Sequence, residues 1–327
     1  MPIVTRKSAD GPPVYTPEKR TLGPTAVALP KSGLDTELGS FEPQVRRAFR
    51  GRIPPPKPEW ADALTATYRS ILDPEYVVGP SDDRVRVTDT TQSPWRQICS
   101  LRIRLKDNRR LVGTGWLIGR NTIITAGHCV FPHIRGSRTD PDYRYNDWAA
   151  EIEIYPGANG LTTGGKPRSP VTPARSTSFE APENWWQHVD EEWDFGAIFI
   201  PNPPADWDSL GYFAFAAYGD ADLEDSMVNV AGYPTDKTDP VEVGTQWSCA
   251  QKVVRVTRRR LYYEVDTFAG QSGSPVFLQL PISGKTKTVA VGVHNYGDRG
   301  GVANSGARIT KDLFLQLKEW KLKGRNG

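Results

Sequence analysis

Cysteine is scarce in this chain, and neither sign of charge is in excess. The 327 residues include three cysteines, Cys99, Cys129 and Cys249, with no C-x-x-C spacing among them. No zinc site is implied, and an odd count leaves at least one thiol unpaired within a monomer. Lys and Arg number 41 against 38 Asp and Glu, a formal net charge of +3. That balance gives no footprint for nucleic acid and no polybasic anchor for a membrane surface. Long apolar runs are also missing. Met1–Asp10 has no apolar core of a secretory signal, and no later stretch is long and apolar enough to span a bilayer. Composition therefore leaves the compartment open. What the chain does have is 30 glycines and 28 prolines, which favour many short strands and turns over long helices. The length suits one large all-β domain, or two smaller units with an extension.

From Met1 to about Tyr76 the sequence is rich in proline and charge, as in Gly51-Arg52-Ile53-Pro54-Pro55-Pro56-Lys57-Pro58. Only short amphipathic pieces such as Pro43 to Phe49 interrupt it, so it reads as an extension, either a pro-segment or a flexible tail. After Val77-Val78-Gly79-Pro80 the character changes. Leu101 to Leu105 alternates apolar and basic residues, Lys106-Asp107-Asn108-Arg109 is a turn, and Leu111 to Ile118 returns, which predicts a hairpin. Thr122 to Thr125 is a third strand. Strands are also expected at Glu151 to Tyr155, Ala197 to Ile200, Met227 to Ala231, Lys252 to Val256, Leu261 to Val265, Val276 to Leu280 and Thr288 to Val293. Asn202 to Asp208 reads as a proline-rich connection between two halves, and Arg258-Arg259-Arg260 as a solvated hairpin tip. At the C-terminus, Thr310 is a candidate N-cap, and Leu313, Leu317 and Trp320 recur at helical spacing.

Within this all-β pattern, Gly270-Gln271-Ser272-Gly273-Ser274-Pro275 presents a serine between glycines, where a tight turn can expose its hydroxyl. A hydroxyl is a weak nucleophile at neutral pH, so it needs an adjacent base, a group that orients the base, and donors for a developing oxyanion. His128, in Thr125-Ala126-Gly127-His128-Cys129, is the candidate base. Asp194, in Trp193-Asp194-Phe195-Gly196, is the candidate orienting carboxylate. The backbone N–H groups of Gly270 and Ser272 are the expected oxyanion donors. Each motif alone is weak: G-x-S-G is common in turns, and His128 or Asp194 could serve structure only. Together they appear in the order His, Asp, Ser, that of the chymotrypsin arrangement. His133 and His188 have no motif around them and read as surface histidines. Asp194-Phe195-Gly196 is not the metal-binding D-F-G of a kinase, since no phosphate loop, V-A-I-K lysine or H-R-D loop accompanies it. A binding protein that kept the fold and lost the reaction would usually lack one of the three residues.

These motifs, with Val77-Val78-Gly79-Pro80-Ser81-Asp82-Asp83-Arg84, Thr88-Asp89-Thr90-Thr91, Gly115-Trp116-Leu117-Ile118-Gly119, Gly232-Tyr233-Pro234, Gly244-Thr245-Gln246-Trp247, Asp266-Thr267 and Arg308-Ile309-Thr310-Lys311, resemble the glutamyl endopeptidases among the chymotrypsin-like serine proteases. The likeness runs from about Val77 to Lys321. It implies two antiparallel six-stranded β-barrels with the three residues at their junction. The first barrel is expected over about 85–201, the second over about 210–300 and a closing helix over about 310–322, all within a protease domain of 77–327 behind an extension of 1–76. It implies cleavage after Glu, less often Asp, of protein or peptide substrates by a secreted monomer without cofactor or metal. A different side-chain preference on the same fold is the alternative. Thr267 and His294 match the positions that bind the substrate carboxylate. In some relatives a processed N-terminus joins them, here Val77 after cleavage at Tyr76, or Tyr76 after cleavage at Glu75; a chain left unprocessed is the third possibility. In many relatives the cysteine after the histidine is bridged to one near the position of Gly113, a partner this sequence lacks.

Overall fold

The computed structural model describes the backbone of residues 33–37 and residues 78, 81–136, 142–282, 285–297 and 303–326. The expected pieces at Gly51–Pro58 and Pro43–Phe49 lie outside them, as do Val77 and the two candidate processing sites.

The first barrel is built from β3 (Ile98–Arg104), β4 (Arg110–Gly119), β5 (Thr122–Thr125), β8 (Glu151–Pro156), β9 (Ala174–Ser176), β10 (Ser178–Glu180) and β11 (Gly196–Phe199). They are hydrogen-bonded in the order β10-β11-β5-β4-β3-β8-β9. The chain passes directly from β9 to β10, and the Ser176 hydroxyl donates to Phe199 O at 2.6 Å, which nearly closes the ring. A small two-stranded sheet, β6 (His133–Arg135) with β7 (Arg144–Asn146), sits outside it.

The second barrel contains β13 (Met227–Gly232), β14 (Trp247–Val256), β15 (Arg260–Tyr263), β16 (Pro275–Ile282), β17 (Lys285–Gly297) and β18 (Asn304–Arg308), and it closes through pairing of β17 with β18. The closing strand thus lies a few residues beyond the expected end near 300. It is short, holds Asn304, Ser305 and Gly306, and has little periodicity to announce it. Three more strands join this sheet: β2 (Val85–Arg86) on β14, β12 (Ala214–Tyr218) parallel to β17, and β1 (Gly33–Glu37) antiparallel to β12. The extension therefore contributes a strand, where its composition had suggested none.

Period-two alternation sorts side chains into separate cores. On β4, Leu117 points into the first barrel with Leu101, Ile123 and Ile152. Its neighbours Trp116 and Ile118 face outward and meet Phe195, Phe213 and Phe277 between the barrels. Trp116 and Phe213 pack edge to face at 5.4 Å, and Phe213 and Phe277 at 5.6 Å. Among the described residues are three short α-helical turns, α1 (Gly127–Val130), α2 (Glu183–Trp186) and α3 (Asp220–Leu223), and one longer helix, α4 (Lys311–Asn326). The Thr310 hydroxyl accepts from Leu313 N at 3.3 Å, an N-cap as its sequence predicts. Leu313, Leu317 and Trp320 bury the apolar stripe of α4 in the inter-barrel core.

The arginine-rich tip is a correction. Arg258 is exposed, but Arg260 is buried, donating to Ser305 Oγ at 2.5 Å and to Glu191 O at 3.3 Å. Arg259 stacks over Trp193 and donates to Asp312. A planar guanidinium with five donors can satisfy itself under cover, so basic character did not mean solvation here.

Candidate active site

Ser272 sits in the turn between β15 and β16, held from both barrels. Thr114 of β4 donates its N–H to Ser272 O at 2.9 Å and its hydroxyl to Gly270 O at 2.8 Å. From β17, His294 O accepts from Gly273 N at 2.7 Å, and His294 N donates to Ser274 O at 2.9 Å. Gly270 and Gly273 have φ of +98° and +88°. A Cβ at Gly273 would stand 2.2 Å from Thr114 O, so only glycine permits this approach.

His128 lies on α1, delivered by β5, and Asp194 lies just before β11; β5 and β11 pair directly. Asp194 is fully buried and His128 is 5% exposed. Nδ1 of His128 is 2.7 Å from Asp194 Oδ2, and Asp194 Oδ1 accepts the backbone N–H of His128 at 2.8 Å. The Tyr296 hydroxyl donates to Oδ2, and Asn295 Nδ2 donates to Asp194 O at 2.8 Å. Burial opposes charge on the imidazole, but the Asp194 carboxylate, helped by Cys129, outweighs it and holds His128 well above its ordinary pKa. With Nδ1 engaged by the carboxylate, Nε2 is the nitrogen left for proton transfer. Cys129 Sγ lies 3.7 Å from Ser272 O, so the serine turn and the histidine helix meet.

Thr267 and His294 are both fully buried, and Thr267 Oγ1 has no hydrogen-bond partner. Nδ1 of His294 is 2.6 Å from the Tyr263 hydroxyl. Beside Thr267, the Asp266 carboxylate accepts Val78 N and Asp83 N at 2.6 Å each. Arg84, its side chain wholly covered, binds Asp82 at 2.7 Å and also Asp236, tying the same segment to the second barrel. The structure thus anchors Val78 on the Asp266–Thr267 segment that follows β15, although Val77 itself is not described.

Asn295 and Tyr296 escaped the sequence reading, although they directly follow His294. Tyr263 escaped it too, and Asp266 stood there only as part of a motif, without its role, because only the fold brings them to their partners. Of the two histidines expected at the surface, His188 is exposed, but His133 is half-buried, with Nε2 3.1 Å from Trp185 O and its ring against Trp185 at 5.1 Å.

The three cysteines are unbridged. Burial pushes the Cys249 thiol up to about 12 and the Cys99 thiol up as well, so neither supplies a thiolate at neutral pH. Gly113 stands where the sequence placed a missing partner: a Cβ there would be 2.8 Å from Cys129 Sγ. That spacing suits a bridge after a small shift. Gly113→Cys is expected to form a disulfide with Cys129 and to stabilise the fold by about 3 kcal/mol, the chain-entropy value for a loop of roughly 15 residues. Thiol titration of the unfolded, unreduced variant should then find two free groups; four would refute the geometry.

Two antiparallel β-barrels, with a serine turn, a histidine helix and a buried aspartate gathered at their junction, define a chymotrypsin-like serine protease. The sequence matches the trypsin-like peptidase domain over residues 113–280, just over half of the chain, and the protein belongs to that family. It is 35% identical over 249 residues to a glutamyl endopeptidase of Bacillus licheniformis, covering 75% of this chain and 69% of that one. An extracellular metalloprotease of Bacillus subtilis is 30% identical over 250 residues, covering 76% and 71%. Among the described residues no group of three or more His, Cys, Asp or Glu side chains is placed to hold a metal ion. The structure of a Glu endopeptidase in complex with MPD superposes with a TM-score of 0.61 at 27% identity, over 75% of this chain and 99% of that one. No helix among the described residues is long and apolar enough to cross a membrane.

Proposed function

We propose that the protein is an endopeptidase that cleaves after glutamate, and less readily after aspartate, by way of an acyl-enzyme. Ser272 Oγ attacks the scissile carbonyl while His128 Nε2 takes its proton; Asp194 keeps the imidazole proton on Nδ1 and stabilises the charged ring. The N–H groups of Gly270 and Ser272 receive the oxyanion. His128 returns the proton to the leaving amine, and water then attacks the ester by the same route in reverse, restoring the serine. The observation that carries this reading is the buried His128–Asp194 pair, 2.7 Å apart, against the turn that holds Ser272.

Preference for glutamate is supported by the pocket chemistry. A carboxylate leaving water needs fixed donors, because burying it unpaired costs several kcal/mol. Thr267 has a buried hydroxyl with no partner, and His294 a ring whose other nitrogen is already held. Several relatives of this chain are named as glutamyl endopeptidases. Mass-spectrometric mapping of cut sites in a denatured proteome tests the proposal; cuts dominated by lysine, arginine or large apolar residues would reject the preference.

We further propose that residues 77–327 are the protease domain and that 1–76 is a pro-segment of a secreted enzyme. Asp266 holds Val78 and Asp83, and Arg84 binds Asp236, which keeps this segment beside Thr267. A new α-amino group at Val77 or Tyr76 would bring a positive charge to the substrate carboxylate. Glu75 suits the enzyme's own preference, so self-cleavage is the expected route. N-terminal sequencing of active wild type should then begin at Tyr76, while Ser272→Ala stays uncut. Full activity with Met1 or Pro2 still in place would refute processing.

A further inference from the structure

One nitrogen of the pocket imidazole is committed by the fold. Tyr263 ends β15, is fully buried among the side chains of the second barrel, and has its hydroxyl 2.6 Å from His294 Nδ1. The two rings lie 5.9 Å apart at 48°. β15 and β17 both pair with β18, where Gly306 stands opposite His294. A Cβ at Gly306 would be 2.4 Å from Val293 O and 3.1 Å from His294 Cα, so the glycine allows the strands their close approach.

In a neutral imidazole one nitrogen donates and the other accepts, and the hydrogen bond at one fixes the role of the other. A phenol that donates to Nδ1 puts the ring proton on Nε2. We propose that Tyr263 is a positioning residue that holds His294 as the Nε2–H tautomer, so that the pocket offers a donor to the substrate carboxylate; this rests on the glutamate preference proposed above. With the tautomer reversed, Nε2 would carry a lone pair. It would repel a glutamate carboxylate and accept from a glutamine amide instead. Tyr263 thereby sets the choice between two side chains of nearly equal shape, a discrimination that needs a polar partner and not a size limit. If His294 gains a second proton, Nδ1–H donates to the same phenol oxygen, and the pair survives.

The test uses the active enzyme with ¹⁵N-labelled histidine, with the His294 ring assigned by its loss in His294→Gln. At about pH 8 the wild-type ring is expected in the Nε2–H form. Tyr263→Phe keeps the ring and removes the donor. It is expected to populate both tautomers and to lower the Glu-to-Gln ratio of kcat/KM on matched peptides about tenfold, since the charge-assisted bond is the stronger one lost. A wild-type ring in the Nδ1–H form overturns the proposal, and this spectrum needs no variant to fold. Tyr263→Phe with its Glu-to-Gln ratio intact also overturns it, provided the wild type favours glutamate. A wild type that cuts glutamate no better than glutamine refutes the substrate reading itself.

Discussion

Ser272→Ala should fold like the parent and lose peptide hydrolysis by at least about ten-thousandfold. Removal of a nucleophile that acts as one unit with its base leaves only what binding and the oxyanion donors contribute. The fold should survive because the turn is held through backbone groups: Thr114 to Ser272 O, and His294 to Gly273 N and Ser274 O. None of these bonds uses the serine hydroxyl. A fluorophosphonate probe should label the parent at Ser272 and leave the variant untouched; labelling elsewhere, or residual turnover within a hundredfold of the parent, would move the nucleophile to another residue. The pH profile checks the base. His128 is held above its ordinary 6.5 by Asp194, and a base must be neutral to act, so kcat/KM should rise with pH through a midpoint above 6.5. The sign for stability is opposite. A histidine whose folded pKa is raised contributes fully below its unfolded pKa, and that contribution fades as pH climbs through the folded value. A midpoint at or below 6.5 would contradict the pairing.

His294→Ala should cost glutamate substrates about a hundredfold in kcat/KM, near 3 kcal/mol, because the carboxylate would enter a buried pocket one strong donor short. Peptides with a glutamine or apolar residue at the same position should lose far less. Matched peptide series on parent and variant measure this directly. Equal losses across the series would mean that the histidine serves the strand and not the substrate. That alternative has substance, since the same residue's backbone binds Gly273 and Ser274 beside the nucleophile. For this reason the ratio between substrates, and not the absolute rate, is the decisive quantity.

Where a residue's role depends on its immediate neighbours in sequence, the sequence was readable. Leu101 to Ile118 alternates and turns at Asn108, and the structure has β3 and β4 there with Asn108 at a φ of +69°. Glycines around Ser272 announced a turn of unusual backbone, and α4 carried both its cap and its stripe. Roles set by contacts distant in sequence were invisible. Tyr263 and His294 are 31 residues apart, and Asp194 and Tyr296 are 102 apart. No local pattern encodes such pairs: the register of β15, β17 and β18 sets the first, and the packing of one barrel on the other sets the second. Strand β12 was missed for a related reason. Its run Ala214-Phe215-Ala216-Ala217-Tyr218 is buried throughout and lacks alternation, as befits a strand that pairs in parallel with β17 and is covered on both faces. At the β14–β15 tip, charge suggests solvent, and only the partners Ser305, Glu191 and Asp312 show why Arg260 is covered and Arg259 is held.

Thr114 carries a consequence for how this molecule can be divided. It belongs to the first barrel, yet its amide and hydroxyl set the carbonyls of Ser272 and Gly270, and its hydroxyl also accepts from Tyr233 N at 3.1 Å. A fragment spanning only the second barrel would carry the serine, the glycines and both pocket side chains, and still lack the strand that shapes their turn. Neither half is a portable module: the proposed catalytic groups come together only at the seam, so a proteolytic nick or circular permutation that lets the barrels drift apart should silence the enzyme while each half keeps its own hydrophobic interior.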